Sequence, residues 1–552
     1  MRSPFEVVRW TRVFARPVGV ALVLALAAGC SGGSSSTVPA AGPNHDSSND
    51  KTAQVTITID WAASSGSSAV SSTVRTPKYL PTTALSVSVS VNGGALQIVN
   101  SPITTLTIAA PVGVDTFVFN SYDQPRAGGN ILSTAQLSQN IIDGQANTIS
   151  TVLQGVVASV TPVVSSTNFP AGTANSFTVT ATAKDADGNV IINSHYNTAI
   201  LLAIVDPANT GTLALSQNTL TGPPYSATLS YNGETLVTAS ITASATGATG
   251  GSVTITPTPT VYECPVAGEP QYIAGAKDGT AWYTDNNNTV VHITTNCVLS
   301  PYTIPTGNAN PQGITLGENG NMWFTEYNSS KVAEVTPSGS VSEFGTLFGS
   351  DSPQMLADRG DGTVWYAGYG GNHVGYVNEF NGVAGETTMP TGGSGPWDVV
   401  EAPNGYLYVS ENLNDDMARL ATLFQSPIPQ TPVTSGSESE SVVLGPDGNL
   451  WFTQFGLDHI GVVSPTTNAQ IGYYATASPS SVPVDITVGK DGALWYTESG
   501  IDRIGRMLTT GVSAGEYHTL SSNTGVKGIA TGSDGAIWFC ESNTSKVGRL
   551  VY

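Results

Sequence analysis

At 552 residues, the chain has room for about three domains of ordinary size. A formal net charge of −21 with only 11% charged side chains gives a surface that repels polyanions, which excludes nucleic acid and anionic lipid as partners of the folded parts. Sixty Gly and an abundance of Ser, Thr and β-branched residues fit an extracellular all-β chain.

The chain opens with Arg2, Arg9, Arg12 and Arg16 ahead of an apolar run, Val18 to Ala28, that ends in Ala27-Ala28-Gly29-Cys30. A basic region, a short apolar segment and small residues before a Cys have the form of a bacterial lipoprotein signal over residues 1–30, with Cys30 as the lipidated residue. The run is shorter than the roughly 20 residues a membrane span needs. Residues 31–51 are mostly Ser, Gly, Pro, Asn and Asp with little to bury, so they read as a flexible tether. These features predict an exported protein of the bacterial cell envelope, held at the outer membrane or cell surface and touching lipid only through its anchor. Loss of the leader removes four Arg and one Glu, which makes the mature chain more acidic still.

Two β-sandwich domains are expected next. Val55-Thr56-Ile57-Thr58-Ile59 and Leu85-Ser86-Val87-Ser88-Val89-Ser90-Val91 alternate cleanly, the mark of strands with one buried and one wet face, and the second runs into the turn Asn92-Gly93-Gly94. Further strands near 105–109, 116–120 and 148–153 complete a sandwich over 52–154. A second spans 155–258, where Phe177 to Ala183 leads into Lys184-Asp185-Ala186-Asp187-Gly188-Asn189. That phrase resembles the bacterial immunoglobulin-like domains of surface adhesins, in which a strand enters a hairpin. Asp185 and Asp187 could hold calcium, but a turn followed by Gly is the ordinary explanation for them. Both modules read as spacers.

From Pro270 to Tyr552 one phrase recurs: Asp-Gly-x-x-Trp, an aromatic, a small residue and usually an acid. The Trp position falls at Trp282, Trp323, Trp365, Tyr408, Trp451, Trp495 and Trp538, with steps of 41 to 44 residues and a Gly three places earlier each time. That period, with Gly turns and short alternating runs, is the signature of four-stranded blades, so residues 259–552 are expected to form a seven-bladed β-propeller. The last repeat stops after its third strand, Lys546 to Leu550. Its missing fourth strand is Val261-Tyr262-Glu263, which would close the ring without a bare edge. The fold class is therefore all-β, a propeller preceded by two immunoglobulin-like sandwiches.

Three places after each Trp position stand Asp285, Glu326, Gly368, Glu411, Gln454, Glu498 and Glu541. Five carboxylates converging near one axis would repel one another unless a cation, magnesium or calcium, sat among them. The other reading stays open: each acid caps its own blade turn. With Cys30 set aside, Cys264, Cys297 and Cys540 remain, and an exported protein favours pairing of the first two. Cys540 takes the Thr place of the repeated phrase and reads as a small buried thiol. His373 and His459 fall at a polar position that other blades fill with Lys or Arg, and read as solvated. No nucleophile elbow, zinc-binding helix motif, phosphate loop or Cys-x-x-Cys is present.

The phrases Gly445-Pro446-Asp447-Gly448-Asn449-Leu450-Trp451-Phe452-Thr453 and Arg503-Ile504-Gly505-Arg506 resemble the virginiamycin B lyase family, also called streptogramin lyases. The resemblance covers about half the chain. It implies magnesium-assisted opening of a cyclic depsipeptide by elimination at its ester, with a His general base fourteen residues before the acid of a late blade. The equivalent places are Gln271, Gln312, Gln354, Trp397, Glu440, Val484 and Lys527, and none is His. Glu498 and Glu541 match the family's acid positions, so a lyase here would rest on Lys527 as base with Glu541 beside it. The missing His shifts the expectation towards a monomeric, non-catalytic binder of a small molecule, glycan or protein at the propeller axis. A C–O lyase and a metal-dependent, lactonase-like hydrolase stand as the alternatives.

Overall fold

The computed structural model describes residues 51–59, 80–81, 83–149, 151, 153–191, 196–221, 226–236, 238–346, 349–421 and 428–552. The signal, Cys30, nearly all of the tether, His45 and His195 lie outside the described residues. Among the described residues there is no α-helix, only three short 3-10 turns, and no helix long and apolar enough to cross a membrane.

The first sandwich packs a three-stranded sheet on a five-stranded one, around Val55, Ile57, Val87, Val89, Phe117 and Phe119. Alternation gives Ser86–Val91 one wet face, but the structure buries Ser86 and Ser88 completely. The chain after Tyr122 folds over them: Ser86 Oγ donates to the Gln124 carbonyl at 2.5 Å, and Ser88 Oγ bonds the Tyr122 hydroxyl at 3.3 Å. Burial is tolerated because each hydroxyl has a partner. The second sandwich sets four strands on four around Val179, Ile200, Leu229 and Ile241. Asp185 sits in a hairpin turn, its Oδ1 accepting from the backbone N–H of Asp187 and Asn189, with Gly188 at φ 82°. That geometry is the turn reading.

Seven four-stranded antiparallel sheets follow in a ring. Blade 1 comprises Pro270–Gly275, Ala281–Asp285, Thr289–Ile293 and Leu299–Thr303, and blades 2 to 6 repeat that order. Blade 7 takes its first three strands from Val526–Thr531, Ile537–Glu541 and Lys546–Val551, and its fourth from Thr260–Pro265, which pairs antiparallel with the last strand of the chain. The first strand of every blade packs against the first strands of its two neighbours, blade 1 against blade 7 included, so first strands line the axis. Cys264 and Cys297 form a disulfide with Cα atoms 5.4 Å apart, tying the closing strand to blade 1.

The repeated phrase now has a physical account. Gly at φ 79° to 83° (Gly448, Gly320) makes the turn, and in blades 5 and 6 the Asp before it accepts the indole N–H four residues on, as between Trp451 and Asp447 at 3.1 Å. Each Trp is buried between its own blade and the next: Trp323 packs with Leu356, Val364 and Tyr366 of blade 3 and stacks on Phe344 at 5.3 Å. The second sandwich docks on blade 7 through Ala171, Tyr262, Ala536 and Val551, with the Tyr262 hydroxyl donating to the Ala171 carbonyl at 2.8 Å.

Candidate functional site

Because first strands line the axis, the hub is built by the second residue of each: Gln271, Gln312, Gln354, Trp397, Glu440, Val484 and Lys527. Their backbone is fixed from the preceding blade. The hydroxyl in the small place of the repeated phrase donates to the next blade's hub carbonyl: Thr284 to Gln312 at 2.6 Å, Thr325 to Gln354 at 2.6 Å, Ser410 to Glu440 at 2.5 Å, Thr453 to Val484 at 2.9 Å and Thr497 to Lys527 at 2.8 Å. Ala367 and Cys540 stand in that place in blades 3 and 7. Two carboxylates add to this lacing. Asp398 accepts from the Val442 N–H at 2.9 Å and Asp485 from the Ile529 N–H at 2.8 Å, each bridging to the following blade. Their complete enclosure raises their pKa values, to about 7 and about 6, against the pull of those N–H donors.

A cavity of about 440 Å³ opens at this end of the hub, lined by Gln271, Tyr272, Trp397, Glu440, Val484 and Lys527 among others. Lys527 Nζ donates to Gln271 Oε1 at 2.5 Å and reaches Gln312 Oε1 at 3.5 Å, and it lies 5.1 Å from the centre of the Tyr272 ring. Burial lowers its pKa while Glu440 pulls the other way. Burial likewise lifts Glu440 to about 8, opposed by Lys527. The carboxylate facing the Lys527 charge is thus Glu440 rather than Glu541, whose Oε2 accepts from Thr544 Oγ1 at 3.0 Å. Trp397 is half-buried and held edge-on by Tyr369 at 5.5 Å.

The virginiamycin B lyase family model matches residues 142–420 and 426–552. The chain belongs to that family. It is 30% identical over 233 residues to virginiamycin B lyase of Nocardia farcinica (strain IFM 10152), an alignment spanning 42% of this chain and 77% of that protein. A streptogramin B lyase structure aligns at TM-score 0.50 and 25% identity, over 53% of this chain and 97% of that one. Selenomethionine-substituted virginiamycin B lyase from Staphylococcus aureus aligns at TM-score 0.50 and 24% identity, over 53% of this chain and 100% of that one.

In this virginiamycin B lyase family member, the five acids of the repeated phrase do not converge on the axis. They end the second strand, one strand outward, because a four-fold strand alternation does not say which strand is innermost. Each keeps to its own blade. Asp285 accepts from the Asn287 N–H at 2.9 Å, Glu326 from Ser329 Oγ at 2.6 Å and Glu411 from Gln430 Nε2 at 3.3 Å. Glu326, Glu498 and Glu541 lie beside the third-strand cations Lys331, Arg503 and Lys546, which pair with the fourth-strand acids Glu343, Glu516 and Glu263. Burial raises Glu326, Glu411 and Glu541 to about 7, Glu498 to about 8, and Asp285 as well. Among the described residues no three His, Cys, Asp or Glu gather as a metal site. At the hub, Glu440 shares its space with the ammonium of Lys527. Magnesium wants several oxygen ligands converging on one point, so these residues do not fit the divalent cation the family implies.

The two ring histidines read as solvated are instead half-buried and bonded. His373 Nδ1 pairs with the buried Asp351, and His459 Nδ1 bonds the Leu457 carbonyl. Cys540 is a free, fully buried thiol. The hub set itself was legible as a list of positions. What the sequence did not show was that three amides and one acid, Gln271, Gln312, Gln354 and Glu440, rather than the acids of the phrase, stand on the strands that line the axis. The repeated Pro-Gln at Pro270, Pro311 and Pro353 is the signal that would have pointed there.

Proposed function

We propose that this protein is a binding member of its family: exported, lipid-anchored through Cys30, monomeric, and taking a small molecule, glycan or protein segment at the propeller hub without turning it over. The observation that carries the reading is the hub set: Gln271, Trp397, Glu440 and Lys527 line a cavity, and no imidazole stands at any of the seven places. Such a set offers donors, acceptors and an aromatic face, which is what ligand recognition needs. It offers no group with a pKa ordinarily poised near neutrality to abstract a proton beside an ester. The test is calorimetric titration of the purified full chain followed by mass spectrometry of the recovered ligand. Saturable binding with the ligand unchanged supports the reading, and saturating turnover ends it. Loss of acylation in Cys30→Ala, read as a lost lipid mass, checks the anchor.

A second reading rests on Lys527, which occupies the last-blade base position with its pKa lowered by burial. A neutral amine there could remove an α-proton and open a cyclic depsipeptide of the streptogramin type. Linearised product that disappears in Lys527→Met would establish that lyase, and no product from the native chain removes it. The lactonase-like alternative would need the acids of the repeated phrase to share one metal, whereas Asp285, Glu326 and Glu411 each bond within their own blade.

A further inference from the structure

The fourth strand of each blade is the edge of its sheet. Along an antiparallel pair, residues that exchange bonds with the neighbouring strand alternate with residues that turn their N–H and C=O outward. In blade 2 the Thr346 N–H donates to the Ser330 carbonyl at 3.1 Å, which makes Glu343, opposite Ala333, an outward residue. The same register puts Pro301 at that place in blade 1, Glu386 in blade 3, Glu516 in blade 6 and Glu263 in blade 7. Blade 4 has Gln430 there and Pro432 at its next outward place. Pro removes the outward donor and a charged side chain resists pairing, so these six edges are guarded against an incoming strand.

Blade 5 departs from this rule. Its fourth strand, Ala469–Ala475, is the longest of the seven as described and carries neither Pro nor a charged residue. The Thr476 N–H donates to the Asp458 carbonyl at 3.0 Å, so Tyr473 and Ala475 are the outward residues, and Tyr473 stands where the other blades place their guard. Its ring lies 5.4 Å from that of His459, yet it is 55% exposed, and Ile471 is 54% exposed. The alternate side of the strand is fixed, with Tyr474 stacked on Trp451 at 5.7 Å. A bulge opposite Val462 and Val463 interrupts the register beside Ile471, which leaves Gly472 to Ala475 as the regular edge. Outward backbone groups on a rigid strand, beside exposed apolar side chains, are what recognition by strand addition uses.

We propose that the rim of blade 5 is a peptide-docking edge, at which an extended, cationic segment of a partner protein adds as a further strand to Ala469–Ala475. Backbone bonds to Tyr473 and Ala475 hold it, and apolar side chains at its alternate positions cover Ile471 and Tyr473. The charge follows from the net −21 of the chain: Lys or Arg in the segment gains from that field, whereas a second copy brings the same acidity against it. The edge lies three strands out from the axis, so this inference goes beyond the hub reading and stands without it.

The test uses the full chain in detergent with labelled peptides of about seven residues, alternating Val, Ile or Tyr with Lys or Thr, and a matched set with Glu for Lys. Fluorescence anisotropy should show saturable binding of at least one Lys peptide, with its Glu counterpart about tenfold weaker. Tyr473→Glu, which installs the side chain of blades 2, 3, 6 and 7, and Tyr473→Pro should each weaken binding by about tenfold or more. Amide hydrogen exchange over 469–475 should slow when the peptide is bound. Near-ultraviolet circular dichroism checks that each variant is folded. Binding indifferent to both variants, exchange over 469–475 that does not slow, or no peptide bound at all overturns the inference. Self-association of the native chain that Tyr473→Glu abolishes, read by sedimentation, also overturns it, the occupant then being a second copy. Equal binding of the Lys and Glu sets overturns the assignment to a cationic partner.

Discussion

Glu498 has both carboxylate oxygens enclosed without a hydrogen-bond partner, beside Glu516 and Arg503, and burial holds its pKa near 8. A carboxyl raised this far in the folded chain costs stability wherever the unfolded chain would ionise it, from the ordinary Glu range up to the folded value. Glu498→Gln keeps the shape and removes the titration. It should therefore stabilise the protein by about 1–2 kcal/mol at pH 7.5, a benefit that vanishes near pH 4.5, in urea melts at the two pH values. A variant less stable than the parent at pH 7.5 would show that the ionised form is wanted, by a cation or by Arg503. Sequence spacing located this acid and its four carboxylate counterparts but misplaced them at the axis. Seven-fold repetition marks a position as special without saying whether it faces the centre, a neighbouring blade or its own loop. The residues that do face the centre differ from blade to blade beyond the Pro-Gln shared by blades 1 to 3, Trp397, Glu440, Val484 and Lys527 being four unlike neighbours that no repeat pattern announces.

The fold was more legible than the site because each element of the phrase has a local partner a fixed number of residues away. Asp447 accepts from the Trp451 indole, Gly448 makes the intervening turn, and Thr453 donates to the Val484 carbonyl of the next blade. The last of these links elements rather than residues, and it recurs at five of the seven blade junctions. Thr453→Val removes the hydroxyl, keeps the β-branched shape and leaves a buried carbonyl without its donor. A loss of about 1–2 kcal/mol is expected, read as a lowered urea midpoint with an unchanged slope. A neutral result would mean the carbonyl finds another donor on relaxation. The strand least visible beforehand was Ile131–Ile141, since polar residues such as Gln136 and Ser138 carry no apolar signal of their own.

At the scale of the whole molecule, buried acids outnumber the cations that could neutralise them, and their titration sets how the ring responds to pH. Burial raises Glu326, Asp398, Glu411 and Glu541 to about 7, Glu440 and Glu498 to about 8, and Asp485 to about 6. For each, the folded chain binds a proton that the unfolded chain has already released between roughly pH 4.5 and the folded pKa, so stability falls as pH rises through that window. The net charge of −21 adds self-repulsion of the same sign. The opposite group, Glu263, Glu343, Asp415 and Asp502, is held below the ordinary carboxylate range by Lys546, Lys331 and backbone N–H donors. Their contribution is intact above that range and is lost only as the pH drops beneath it. The two sets together place maximal stability near pH 5 instead of at neutrality. Thermal melts should show a midpoint higher by about 5 °C or more at pH 5.5 than at pH 8, with a renewed fall below pH 4. A midpoint that rises steadily from pH 5.5 to 8 would mean these carboxyls are ionised in the folded ring and neutralised there by something the chain itself does not supply.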